Sequence, residues 1–85
     1  MNEWLDELAD ALGSPRVAPD ELGALLKLTR DVAHGTERRF APLSAYLIGV
    51  AVGERTARGE DRAAAFLSAT GAARGLVPDT PPDDD

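Results

Sequence analysis

Apolar side chains recur three or four positions apart in two segments near the start of the chain, which predicts two amphipathic helices. The first can be capped by Asn2 and ended by Gly13, and the second begins at Pro19 and ends at Gly35. The first stripe comprises Trp4, Leu5, Leu8, Ala11 and Leu12. The second comprises Leu22, Leu25, Leu26, Thr29, Val32 and Ala33. Segment 13–19 is rich in residues that break helices and connects the two.

A third helix is predicted to begin at Pro42 or Leu43 and to end near Arg58, before Gly59. Its stretch LSAYLIGVAV (43–52) is apolar on nearly every side, which is typical of a central helix covered by its neighbours. The run is shorter than the roughly 20 residues that a membrane span needs. Three small residues lie four positions apart and form a flat strip that another helix can approach closely: Ala45, Gly49 and Gly53. That helix belongs either to the same chain or to a second subunit.

A fourth helix is predicted from about Glu60 to Arg74, before Gly75. Its inward residues are predicted to be Ala63, Phe66, Leu67 and Thr70. No hydrophobic period continues into residues 76–85, which contain three prolines and four aspartates and are expected to form a disordered acidic tail. The pattern therefore predicts an all-α fold, a small bundle of three to four short helices in one domain (1–75) followed by the tail (76–85).

Composition limits the function classes. The 85 residues include no cysteine and carry a net charge of −6. Binding to nucleic acid in general is not expected, because phosphates require a basic surface. The first residues lack the basic start and apolar stretch of a signal peptide, and we expect a cytoplasmic protein without membrane attachment.

No familiar catalytic or metal-binding motif is present. There is no phosphate-binding Gly-rich loop, no CxxC and no HExxH, and a single histidine without cysteine does not favour a zinc site. The serines, at positions 14, 44 and 68, do not lie in a nucleophile-elbow pattern. The acidic pairs Glu3/Glu7 and Asp6/Asp10 are more typical of a solvated helix face than of a carboxylate metal site. We therefore expect a non-enzymatic protein without metal or cofactor.

The segment AHGTERRFAPLS (33–44) is the candidate for chemistry. It joins the end of one predicted helix to the start of the next, and the first amides of that next helix, around 43–45, would lack carbonyl partners and attract anions. His34, Arg38, Arg39 and the Ser44 hydroxyl lie near those amides in sequence, so a phosphate or carboxylate could bind there. In the structural alternative, His34 complements the negative end of its helix or bonds to a loop carbonyl, and Phe40 closes the end of the bundle. Arg38 then pairs with Glu37, Asp31 or an acid of the first helix.

One series of short motifs spans about residues 2–70: WLDEL (4–8), LLKLTRDVAH (25–34), Glu37-Arg38, APLS (41–44) and Leu47-Ile48-Gly49. The series resembles a small actinobacterial domain family of unknown function. The family occurs alone or fused to proteins similar to molybdenum-cofactor guanylyltransferase (MobA-like). Residues on the family pattern are Arg30, His34, Arg38, Pro42, Leu43 and Gly49. The pair Arg39-Phe40 replaces the expected Pro-Ala. The resemblance adds Arg30 to the anion-binding candidates and maps no catalytic residue.

Three hypotheses follow. The first is an interaction domain accessory to molybdenum-cofactor biosynthesis, whose partner is a nucleotidyltransferase of that pathway or, through the Ala45/Gly49/Gly53 strip, a second copy of the chain. The second is a domain that binds an anionic nucleotide or pterin phosphate at the corner formed by 33–44. The third is a regulatory or antitoxin-like protein whose acidic tail mimics a nucleic acid.

Overall fold

A computed structural model describes residues 3–78. They form four helices: α1 (Glu3–Leu12), α2 (Pro19–Gly35), α3 (Phe40–Ala57) and α4 (Arg62–Leu76). No strand occurs in this range, so the predicted all-α class is confirmed. α4 includes Leu76, one residue beyond the predicted domain boundary. The predicted Asn2 cap and positions 79–85 of the predicted tail lie outside the described residues.

The helix ends follow local chemistry. Pro19 begins α2, and the Glu21 carboxylate accepts the Ala18 backbone N–H at 3.0 Å. Gly13 adopts φ +71°, which lets the chain leave α1 while the Ser14 N–H donates to the carbonyl of Ala9 at 2.9 Å. Gly59, at φ +99°, serves the same purpose after α3. These three punctuation residues were correctly predicted.

Two predicted helix starts are wrong. α3 begins at Phe40 rather than at Pro42 or Leu43, and Pro42 takes the third helical position. Proline is tolerated there because the first N–H groups of a helix have no carbonyl partner within it. A tight turn precedes α3, in which the Phe40 N–H donates to the Glu37 carbonyl at 2.9 Å. α4 begins at Arg62 rather than near Glu60 because Asp61 caps it, its carboxylate accepting the Ala64 N–H at 3.0 Å.

The core lies where α2, α3 and α4 meet. Its buried members are Leu28, Val32, Ile48 and Ala69, and partly buried apolar residues pack around them: Leu25, Ala51, Val52, Ala73 and Val77. Leu26 and Leu67, which were predicted to point inward, are exposed, as is Ala63. Small side chains, Ala65 and Ala69, take the buried positions of α4, since α3 packs closely along this helix.

The prediction that α3 is covered on all sides is wrong. Leu43, Tyr46 and Leu47 expose 55%, 69% and 65% of their area. Only α2 and α4 pack against this helix, and both lie on its Ile48 side. The opposite side has no neighbour within residues 3–78.

α1 is an arm rather than a member of the core. In the described range, none of its Cα atoms comes within 8 Å of a Cα in another helix. Ala9 is its one buried residue, and polar contacts also hold it. The Arg16 guanidinium donates to the Asp10 carboxylate at 2.8 and 3.2 Å and lies 3.7 Å from Asp6. Arg62 of α4 donates both to the Arg16 carbonyl (2.9 Å) and to the Glu21 carboxylate (2.6 Å). The four helices thus comprise a three-helix core and an arm bound through Arg16.

Candidate functional site

The turn between α2 and α3 contains most of the predicted anion-binding residues. His34 lies in the last turn of α2 and is exposed, and Arg38 and Arg39 follow in the turn itself, also exposed. The Thr36 hydroxyl donates to the Val32 carbonyl at 2.6 Å, which ties the turn to the end of α2. The turn therefore presents its cationic side chains to solvent.

Arg39 is occupied locally. Its guanidinium lies 2.8 Å from the Glu37 carboxylate and stacks over the Phe40 ring, 5.6 Å from the ring centre. An ion pair this exposed contributes little to stability. It nevertheless places a carboxylate beside Arg39, whereas the structural alternative expected Glu37 to pair with Arg38.

The backbone amides expected to attract an anion have partners. Because α3 begins at Phe40, the amides of residues 43–45 lie inside the helix, where each faces a carbonyl four positions earlier. The Phe40 and Ala41 amides donate to carbonyls of the preceding turn, and Pro42 has no backbone N–H to donate. The Ser44 hydroxyl donates to the Ala41 carbonyl at 2.8 Å. The structure does not bring these groups together as free donors.

Three side chains at this corner remain without partners. The side chains of Arg30, His34 and Arg38 make no hydrogen bond or ion pair within residues 3–78, and all three are exposed. Arg30 and His34 are four positions apart on α2, so they share its outer side. The corner therefore offers two arginine side chains and an imidazole to solvent.

The acidic pairs of α1 do not form a metal site. Asp6 and Asp10 both face Arg16, whose hydrogen bond lowers the pKa of the Asp10 carboxyl below its usual value. Within 3–78, no three carboxylates or imidazoles converge as metal ligands. None of the helices in that range combines the length and the apolar character that crossing a bilayer requires.

A second candidate site is the side of α3 that faces away from the core, here called the outer face. It consists of Leu43, Tyr46, Leu47 and Val50, together with Gly49 and Gly53. A Cβ added at either glycine would meet nothing within 4 Å. Within residues 3–78, the two glycines are therefore not packed against another helix, which was one of the two alternatives left open by their spacing. Ala45, the third residue of the predicted strip, is half-buried and lies toward the core.

The sequence analysis did not predict the outer face as one exposed surface. A helix that is apolar all round is expected both when it is completely buried and when one of its faces binds a partner. Only the number of neighbouring helices distinguishes these two cases. The signal in the sequence was the seven-residue connector after α1 with its two prolines. That connector carries the first helix away from the core and leaves two helices to cover α3.

A shallow groove between α2 and α4 is a lesser candidate. Its lining is Ala24, Lys27, Leu28, Leu67, Thr70, Gly71 and Arg74. Both of its cations are paired with one carboxylate, Asp31, which lies 3.5 Å from Lys27 and 3.0 Å from Arg74. The hydrogen bond from Arg74 lowers the pKa of Asp31. The groove therefore offers no free charge to a ligand.

Fold and surface together define a small all-helical domain in which, within residues 3–78, the outer face of α3 is uncovered and no group of side chains converges as metal ligands. The chain belongs to the DUF6457 family, described as a domain of unknown function, whose family model matches residues 1–85. The comparison with curated proteins finds no match, and neither does the comparison with solved structures.

Proposed function

We propose that this protein is a non-enzymatic interaction domain, and that the outer face of α3 receives a helix from a partner protein. The observation that carries the proposal is the combination of exposed Leu43, Tyr46 and Leu47 with two glycines that have open space above them. Large apolar side chains that cluster on a surface are typical of binding sites. Glycine lets a second backbone approach closely. Together they form a surface suited to an amphipathic helix.

Energetics also favour an occupant for this face. Fully burying one leucine or valine side chain stabilises by about 1.5–3 kcal/mol. The outer face keeps four large apolar side chains at least two-fifths exposed, while Leu28 is the largest side chain that is fully buried. The domain therefore leaves much of its apolar surface exposed and available for association, as is expected for a chain of this size.

We propose a molybdenum-cofactor nucleotidyltransferase as the first partner to test. The support is the series of motifs from WLDEL (4–8) to Leu47-Ile48-Gly49, which resembles domains fused to such enzymes. Three residues of that series, Leu43, Leu47 and Gly49, lie on the outer face. The nucleotide-transfer chemistry would belong to the partner, and this domain would position or stabilise it.

Glycine substitution separates docking from folding. Gly49→Ala and Gly53→Ala each add a methyl group that meets nothing within 4 Å, so the free domain should gain about 0.5–1 kcal/mol in helix stability. A helix docked closely on the outer face would clash with that methyl. We expect tenfold or weaker binding to the purified guanylyltransferase from the same organism, measured by biolayer interferometry.

Gly23→Ala is the matched control, because Gly23 is an exposed helical glycine of α2 with equally open surroundings. It should gain stability and keep wild-type affinity. Wild-type protein that shows no affinity for the transferase would overturn that partner. Equal losses for Gly23→Ala and Gly49→Ala would show that the outer face is not the docking surface.

The second candidate function is binding of an anionic nucleotide or pterin phosphate by side chains alone. Its support is that Arg30, His34 and Arg38 are exposed without polar partners in the described range. Calorimetric titration with GTP and with inorganic phosphate tests it. We expect a salt-sensitive affinity that Arg38→Ala weakens, whereas Arg58→Ala, a distant exposed arginine, leaves it unchanged. Absence of heat with both ligands would overturn this function.

A further inference from the structure

We infer that in the protein on its own the outer face is covered by α1 of a second copy of this chain, so that two copies form a symmetric dimer in which each arm covers the α3 of the other; a helix from a partner protein would have to displace that arm. The inference rests on the proposed function, since it takes the outer face to be a docking surface. It goes beyond that proposal by naming the helix that docks and the arrangement of the two chains.

α1 has the form that the outer face requires. It is amphipathic, with Trp4, Leu8 and Leu12 four positions apart along one side, and Trp4 and Leu12 expose 65% and 70% of their area. No other helix of the described chain approaches it closely. At 1.5 Å per residue, Trp4 to Leu12 spans about 12 Å, and Leu43 to Val50 spans about 10 Å. The two apolar stripes therefore match in length.

Charge favours the same pairing. α1 carries four carboxylates and no basic residue, whereas residues 13–78 contain nine basic and seven acidic residues. The arm is thus negative and the rest of the described chain positive. Glu3 and Glu7 have no ion-pair partner within residues 3–78, and neither does Arg38, which lies just before the outer face. An arm laid on the α3 of another copy can bring these unpaired charges together.

The area available suits a stable dimer. The seven side chains of the two stripes expose on the order of 900 Å² per copy, close to the roughly 800 Å² per partner that specific interfaces bury. A two-fold axis uses both stripes of both copies, because each copy donates an arm and receives one. Neither stripe then remains exposed, and the assembly closes at two chains.

Mixing two variants tests the pairing directly. Leu12→Lys disables the arm and Leu47→Lys disables the outer face, and in both cases the side chain is mostly exposed, so folding is not at risk. By sedimentation equilibrium, wild type should dimerise and each variant alone should associate at least tenfold more weakly, since both of its contacts are damaged. An equimolar mixture should recover heterodimer, because it restores one intact contact between a wild-type arm and a wild-type outer face.

Leu26→Lys and Leu67→Lys are the matched controls, being leucines of similar exposure outside both stripes, and they should dimerise as wild type does. Trp4 is the only tryptophan, so its emission should shift to the blue on dimerisation and report on the arm itself. Far-UV circular dichroism checks that every variant keeps its helices. Failure of the mixture to recover heterodimer would overturn the arm-to-face pairing, as would controls that lose association equally.

The result distinguishes this inference from the proposed function. A wild-type chain that stays monomeric at millimolar concentration overturns the dimer. If transferase binding is still weakened by Gly49→Ala, the outer face remains a docking surface for that partner. If instead the chain dimerises through arm and outer face and the transferase does not bind, the dimer stands and the transferase role falls.

Discussion

Leu26 and Leu28 lie two positions apart on α2 and occupy opposite environments. Leu28 is 1% exposed at the centre of the core, and Leu26 is 61% exposed. Leucines lie on so many sides of α2 that its sequence fits two different apolar stripes, one containing Leu26 and the other Leu28. Only the positions of α3 and α4 determine which stripe is buried. Helical periodicity thus predicts that α2 exists and where it begins and ends, but not which leucine is buried.

The two leucines should differ sharply in their contribution to folding. We expect Leu28→Ala to lower the free energy of unfolding by about 2–5 kcal/mol, through lost burial and the cavity left behind. Leu26→Ala should change it by less than about 0.5 kcal/mol, since an exposed leucine leaves no cavity. Urea unfolding at one protein concentration, followed by circular dichroism, measures both. Equal losses would contradict the phase assigned to α2.

The same distinction applies to the corner between α2 and α3. Its residue types were read correctly as cationic and exposed, but their surroundings depend on where α3 starts. Moving that start from Pro42 to Phe40 places the amides of 43–45 inside the helix. Pro42 is compatible with any position in the first turn, so the sequence could not predict whether those amides would be free.

At the scale of elements, α1 buries only Ala9 fully and is otherwise held by charged contacts. Arg16 joins it to the connector through Asp10 and Asp6, and Arg62 joins that connector to α4. The hydrogen bond from Arg16 lowers the pKa of Asp10 below its unfolded value. Its contribution is therefore present above the unfolded pKa and is lost as the pH falls through the lowered pKa in the folded state.

α1 should consequently loosen in acid before the core does. We expect hydrogen-exchange protection of the α1 amides to decline below about pH 4 while the amides of α2 and α3 stay protected. Asp10→Asn should remove most of that pH dependence. Asp31→Asn is the control, because Asp31 also has a lowered pKa but pairs with Arg74 of α4, and it should leave α1 unaffected. Simultaneous loss of protection in α1 and α2 would contradict an independent arm.

At the scale of the whole molecule, the sequence predicted the helices better than it predicted their arrangement. All four were expected, with ends correct to within two or three residues. The error was to expect α3 to be covered by its neighbours on nearly every side. The stripes of α1 and α3 both stay uncovered. Periodicity shows that a helix has a face to bury, and it contains no information on whether the covering surface belongs to the same molecule.

That uncovered surface makes the thermal stability of the protein depend on its concentration. The buried residues of the described chain include three alanines and few large side chains, so a single copy should be only marginally stable. Association that buries both stripes favours the folded state by mass action. For a dimer of this size we expect Tm to rise by about 3–5 °C for each tenfold increase in concentration. Scanning calorimetry over two decades of protein concentration measures the slope.

Leu47→Lys should flatten the slope and Leu26→Lys should retain it, because only the first disrupts the outer face. A slope of zero for wild type would mean that one chain folds alone with both stripes exposed to water, and its apolar surface would then need a partner of another kind.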